Sequence, residues 1–208
     1  MTFLNDLSFS QLLTRLGAYL IIVGCHGFVL AALADALGDR EPAFIGRRTL
    51  SPFVQLSVPG LLSSLLFHIG WMKPLAIDHR KLRWGRGGLL VLVGVSLAVL
   101  LVLVVLLNPL RVVVTGNLTG TAAQSVLGVV QEVQQQAVWY VLVNLLPIPG
   151  LTGGLWLQAA APKLAAALAR YHLAFALGLL LLAVIGVLDV VLGPLYFILA
   201  NQLIVLIS

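Results

Sequence analysis

Long apolar blocks alternate with short polar breaks along this chain. Residues 16–37 are apolar apart from His26 and Asp35, long enough to cross a hydrocarbon core of about 30 Å. Gly38-Asp39 ends that block. Residues 58–70 form a second apolar run, too short for a full crossing. Residues 88–107 are the cleanest span, free of charge. Residues 122–146 form another, interrupted by the polar block QEVQQQ. The segment 151–170 reads as a milder, amphipathic helix. The run from 172 to the C-terminus is too long for one crossing, and Gly193-Pro194 is its expected break. Residues 1–13 mix apolar and polar types and read as a short interfacial helix. The pattern predicts an all-α polytopic membrane protein with about four crossings plus re-entrant and interfacial pieces.

Charge refines the topology. Both flanks of the short 58–70 run are basic: Arg40, Arg47 and Arg48 precede it, and Lys73, Arg80, Lys81, Arg83 and Arg86 follow. Basic loops stay on the cytoplasmic side, so the 53–72 region should enter the membrane and return. Irregular backbone at that depth is tolerated only under a cover of protein. The N-terminus then starts on the far side. Trp71, Trp84, Trp139, Tyr140 and Tyr171 fall near expected span ends, where amphipathic rings sit at headgroup level.

Composition agrees. The 208 residues are 61% hydrophobic and 9% charged, against about a quarter charged in soluble domains. The first segment is too long and too weakly basic for a cleaved signal peptide, so Met1 onward is read as mature protein. The net charge of +5 lies in loops and is read as orientation, not nucleic-acid binding. The single cysteine, Cys25, precludes an intrachain disulfide and a Cys-rich metal site.

Four strings share a family likeness. NLLPIPGLTGG (144–154) resembles the N-L-L-P-I-P-x-L-D-G-G motif of the site-2 proteases, intramembrane zinc metalloproteases. From His26, HGFVLAALADALGD aligns without gaps on that family's H-E-x-x-H-A-x-x-A-x-x-x-G-D helix. GRRTLSPFVQLSVPG (46–60) resembles its strand-forming G-R-L-T-L-N-P-x-x-H-I-D-P-x-G, and GWMKPLAID (70–78) its G-W-A-K-P-V-x-V-N. The matches fall in family order over residues 18–160. The resemblance implies a single membrane domain over 1–208: an interfacial segment at 1–13, a site-2-protease-like core at 14–170, and C-terminal hydrophobic helices at 171–208. It also implies a small strand element near 47–52 and 73–78, and the bacterial cytoplasmic membrane as the location.

The departures from the family bear on function. Its chemistry needs two imidazoles one helical turn apart and a later carboxylate on zinc, with a glutamate as general base. Here the first histidine is His26, but the glutamate position is Gly27, the second histidine is Leu30 and the aspartate is Thr152. Gln55 and Ser57 replace two further polar family residues. One ligand of three remains and the base is gone, so the expectation is a pseudoprotease with no catalytic residues, no metal and no cofactor. His26 reads as a neutral, hydrogen-bonded core histidine.

In the QEVQQQ region, Gln124, Gly128, Gln131 and Gln135 share one helical face, with Glu132 and Gln136 on an adjoining stripe. Lipid does not accept such groups unpaired. They should meet the bundle, water or another membrane protein. Asp189 poses the same question. Three functions follow as expectations. The first is an accessory subunit that uses the ancestral groove to bind transmembrane helices of a larger complex, with lipids as its other partners. The second is an active protease with a rebuilt site. The third is a small transporter or channel lined by the glutamines, Glu132 and Asp189.

Overall fold

The computed structural model describes residues 8–204, and every regular element among them is a helix. Helix α1 (Phe9–Leu37) opens on a capping box, in which Ser8 accepts from Gln11 N–H and the Gln11 side chain accepts from Ser8 N–H. The interfacial helix expected over 1–13 is therefore not separate from residue 9 onward, and residues 1–7 lie outside the described residues. α1 is 29 residues long, about 43 Å of helix.

A long excursion follows. It carries the short helices α2 (Glu41–Phe44), α3 (Pro52–Gln55) and α4 (Val58–Phe67). α4 spans only about 15 Å, half a hydrocarbon core. The chain turns at His68, whose backbone is left-handed at φ 62°, and comes back. Tyr19 records the return: its hydroxyl donates to Trp71 O at 2.9 Å and lies 3.2 Å from Ser57 O. Both ends of the 57–71 hairpin thus meet at one phenol.

The strand element expected at 47–52 and 73–78 is absent among the described residues. Residues 48–50 form bends and 71–78 carry no regular secondary structure. One backbone bond joins the two strings, Lys73 N–H to Gln55 O at 2.7 Å. Side chains make the remaining ties. Arg47, buried, donates to Val54 O (3.2 Å) and Lys73 O (2.8 Å).

The rod formed by α5 (Arg86–Leu106) and α6 (Asn108–Asn117) runs on through Leu107, so the NPLRVVVTGN stretch, expected as a connection, is helical. Next come α7 (Gly120–Asn144), α8 (Gly154–Ala160), α9 (Pro162–Ala169), α10 (His172–Val184) and α11 (Val187–Leu203). Within 151–170 the expected single helix is split at Ala161-Pro162. The C-terminal break falls at Gly186, left-handed at φ 77°, and not at Pro194, which lies inside α11. Glycine adopts that conformation without strain, whereas proline costs one intrahelical bond and leaves the helix continuous.

Among the described residues, two helices are long and apolar enough to cross a membrane, Phe9–Leu37 and Arg86–Asn117; α9 with α10 makes a third if that pair, bent by 83°, is one broken span. α1, α5 and α7 pack against one another. Their shared core holds Tyr19, Ile22 and Leu30 from α1, Leu89, Leu92 and Leu97 from α5, and Val138, Tyr140 and Val143 from α7.

Candidate functional site

His26 sits at the centre of this core, fully buried. Its Nδ1 lies 2.8 Å from the Tyr140 hydroxyl and its Nε2 3.3 Å from Ser96 Oγ. Ser96 gives its one hydroxyl proton to Val93 O, so it accepts from Nε2–H. Nδ1 then accepts from the Tyr140 O–H. A neutral imidazole has a single ring lone pair, and here that pair is bound to the phenol proton.

The neighbouring positions follow suit. A β-carbon on Gly27 would stand 2.2 Å from Cδ of Gln55. The Gln55 amide, itself fully buried, fills the space beside that glycine and donates to Arg47 O at 2.8 Å. Leu30 is buried and apolar. Thr152 is held by the turn after α7. Gly153 N–H donates to Asn144 O at 2.7 Å, and a β-carbon on Gly153 would fall 2.3 Å from Leu146 O. Asn144 donates to Gly70 O (3.2 Å) and to Tyr140 O (2.9 Å) and takes a long bond from Thr152 Oγ1 at 3.4 Å.

Tyr140 and Asn144 are one helical turn apart on α7. Tyr140 holds His26 through its hydroxyl, and Asn144 holds Thr152 while bonding the Tyr140 carbonyl, so α7 positions both residues. Sequence reasoning placed Tyr140 among the interfacial aromatics and passed over Ser96. The signal for Tyr140 was its position four residues before the asparagine of the N-L-L-P-I-P string.

This donor set does not fit zinc. The imidazole lone pair is in use, Leu30 has nothing to offer, and the Thr152 hydroxyl is a neutral group already donating to an amide. Metal sites need three or four protein donors. Among the described residues no three His, Cys, Asp or Glu side chains are grouped closely enough to hold an ion.

Beside these bonds lies an open groove of about 670 Å³, lined by Leu30, Thr152, Leu155, residues 149–151 and the extended segment 72–77. Burial along that segment alternates with the period of two of an extended chain: Leu75 and Ile77 are buried, Pro74 and Ala76 exposed. Its ends are fastened. Lys73 is tied to Gln55 and Arg47. The Ile77 carbonyl accepts from Gln158, and Asp78 N–H donates to the buried Asp39 carboxylate at 2.9 Å. Between them, the N–H groups of Leu75, Ala76 and Ile77 and the carbonyls of Pro74, Leu75 and Ala76 have no hydrogen-bond partner among the described residues. Nearby, the Lys81 ammonium lies 2.6 Å from the Glu41 carboxylate, and this bond raises its pKa.

The polar stripes of α7 divide. Glu132 faces inward, meeting His68 Nε2 at 3.1 Å, Gln136 at 2.9 Å and Arg15 at 3.9 Å. Gln136 accepts from Ser64 Oγ, and Arg15 donates to Leu65 O at 2.8 Å, capping the end of α4. These groups pin the hairpin tip. Gln134, not singled out from sequence, is fully buried and bonds Val104 O, Asn108 and Arg111. Gln124 and Gln131 are exposed and Gln135 half-buried, and none of the three has a hydrogen-bond partner among the described residues. Asp189 is exposed in the first turn of α11.

Comparison with family models, curated proteins and solved structures gave no match.

Proposed function

We propose that this chain is a non-catalytic, site-2-protease-like protein of the cytoplasmic membrane, crossing it several times and serving as an accessory subunit that grips a segment of another membrane protein. The groove carries this reading. It lies along positions 30 and 152, where the resemblance puts a peptide-cleaving centre, and one wall is an extended segment with open backbone donors and acceptors. Exposed extended backbone is a template for another chain. A partner segment laid in the groove satisfies these groups.

The outer face of α7 supports the same reading. Gln124, Gln131 and Gln135 form a polar stripe with no internal partner, suited to hydrogen bonds with a neighbouring helix. The loss of catalysis follows from donor chemistry: a glycine moves no proton, and the imidazole that remains has no free lone pair. The test is purification from native membrane in mild detergent. A companion membrane protein recovered in fixed stoichiometry supports the proposal. Recovery of this chain alone overturns it.

A further inference from the structure

Charge around the groove names the chemistry of its occupant. Residues 35–86 carry eight Lys/Arg and four carboxylates. All four carboxylates are engaged. Asp35 pairs with Arg48 and Arg40, and Glu41 with Lys81. Asp39 accepts from Glu41 N–H and Asp78 N–H, and Asp78 from Arg80 N–H. Lys73 and Arg80 both line the groove and are both exposed. Neither has a carboxylate within salt-bridge distance among the described residues. His79, between them and also on the lining, has a buried Nδ1 without a partner.

These cations bracket the open wall, Lys73 at one end and Arg80 just past the other. Four extended residues span about 13 Å, so an occupant paired along residues 74–77 presents its ends to the two cations. We infer that the groove takes an extended, apolar peptide segment of about five residues flanked at each end by a carboxylate, the two pairing with Lys73 and Arg80. The inference rests on the partner-binding reading above and adds the partner's chemistry. A lipid phosphate answers the cations but brings no row of donors and acceptors for the backbone of residues 74–77, so the peptide fits more of the site. Arg83 and Arg86 lie off the lining and serve as internal controls for charge that only orients the chain in the membrane.

The test uses the full chain in nanodiscs of phosphatidylcholine and three labelled peptides. Each holds five alternating Val and Thr residues, flanked by Glu, by Gln or by Lys. The Glu peptide is expected to bind about tenfold more tightly than the Gln peptide at low salt and the Lys peptide least. This preference should shrink as salt screens the pairs. It should vanish in Lys73→Gln/Arg80→Gln and persist in Arg83→Gln/Arg86→Gln. Equal affinity for the three peptides overturns the inference, as does a preference that follows Arg83 and Arg86. So does displacement of the Glu peptide by added phosphatidylglycerol together with enrichment of that lipid through Lys73 and Arg80. If native purification yields a companion while the Glu peptide has no advantage, this inference falls and the accessory-subunit reading stands.

Discussion

Gln55 fills the space that any side chain at Gly27 would need, with its Cδ 2.2 Å from where the β-carbon would be. The two positions are therefore coupled. Gly27→Ala should destabilise the fold by about 1–3 kcal/mol through overpacking. Gln55→Ala should relieve most of that cost in the double variant. Chemical unfolding of the four proteins in micelles measures the coupling, and additive effects would exclude the contact. For the same reason Gly27→Glu should yield no peptide hydrolysis, since the added carboxylate meets Gln55 and no metal site.

Tyr140→Phe removes the donor to His26 Nδ1 and leaves a buried ring nitrogen without a partner. The expected loss is about 1–2 kcal/mol. His26→Leu in the Tyr140→Phe background should then cost little more, because both polar ends are gone. Unfolding midpoints in detergent check both values.

Arg15 caps the carbonyl end of α4 and faces Glu132. Arg15→Met should destabilise the hairpin by about 1.5–3 kcal/mol, the range for hydrogen bonds to a charged group. Glu132 keeps His68 and Gln136 in that variant, so the loss reports the cap on α4 more than the ion pair. Protease sensitivity of the 57–71 hairpin, read by cleavage-site mapping, follows the local effect.

Gly153→Ala tests the turn itself. Its β-carbon would meet three backbone carbonyls, those of Asn144, Leu145 and Leu146, at 2.3 to 2.8 Å. Backbone cannot yield as a side chain does. The expected outcome is loss of the Thr152–Asn144 contact and a drop in melting temperature larger than that of Gly27→Ala. A smaller drop would contradict the packing described here.

The parts of this fold that follow from lipid as solvent were legible in the sequence. Apolar length marked α1 and the α5 part of the Arg86–Asn117 rod, but not its continuation through α6; Tyr19 ties the two ends of the 57–71 hairpin, a contact the charges do not foretell. What depends on single side chains was not. The strand expected at 47–52 fails because Arg47 and Gln55 turn inward and bond main-chain groups themselves, a choice that periodicity does not reveal. Gly193-Pro194 reads as a helix end in the sequence, yet the left-handed Gly186 supplies the break. In the site, the string around Thr152 drew attention to the turn. The groups that occupy His26, Tyr140 and Ser96, came from helices remote in sequence, and only packing brings them together.

On the proposed reading the groove holds another chain and leaves it whole. A photo-crosslinking residue at position 76, exposed on the open wall, tests this in the native membrane. Irradiation should join this chain to one partner of full, uncut length. Crosslinks to lipid alone, or to a partner cut within its membrane segment with the cut abolished by His26→Ala, would contradict it.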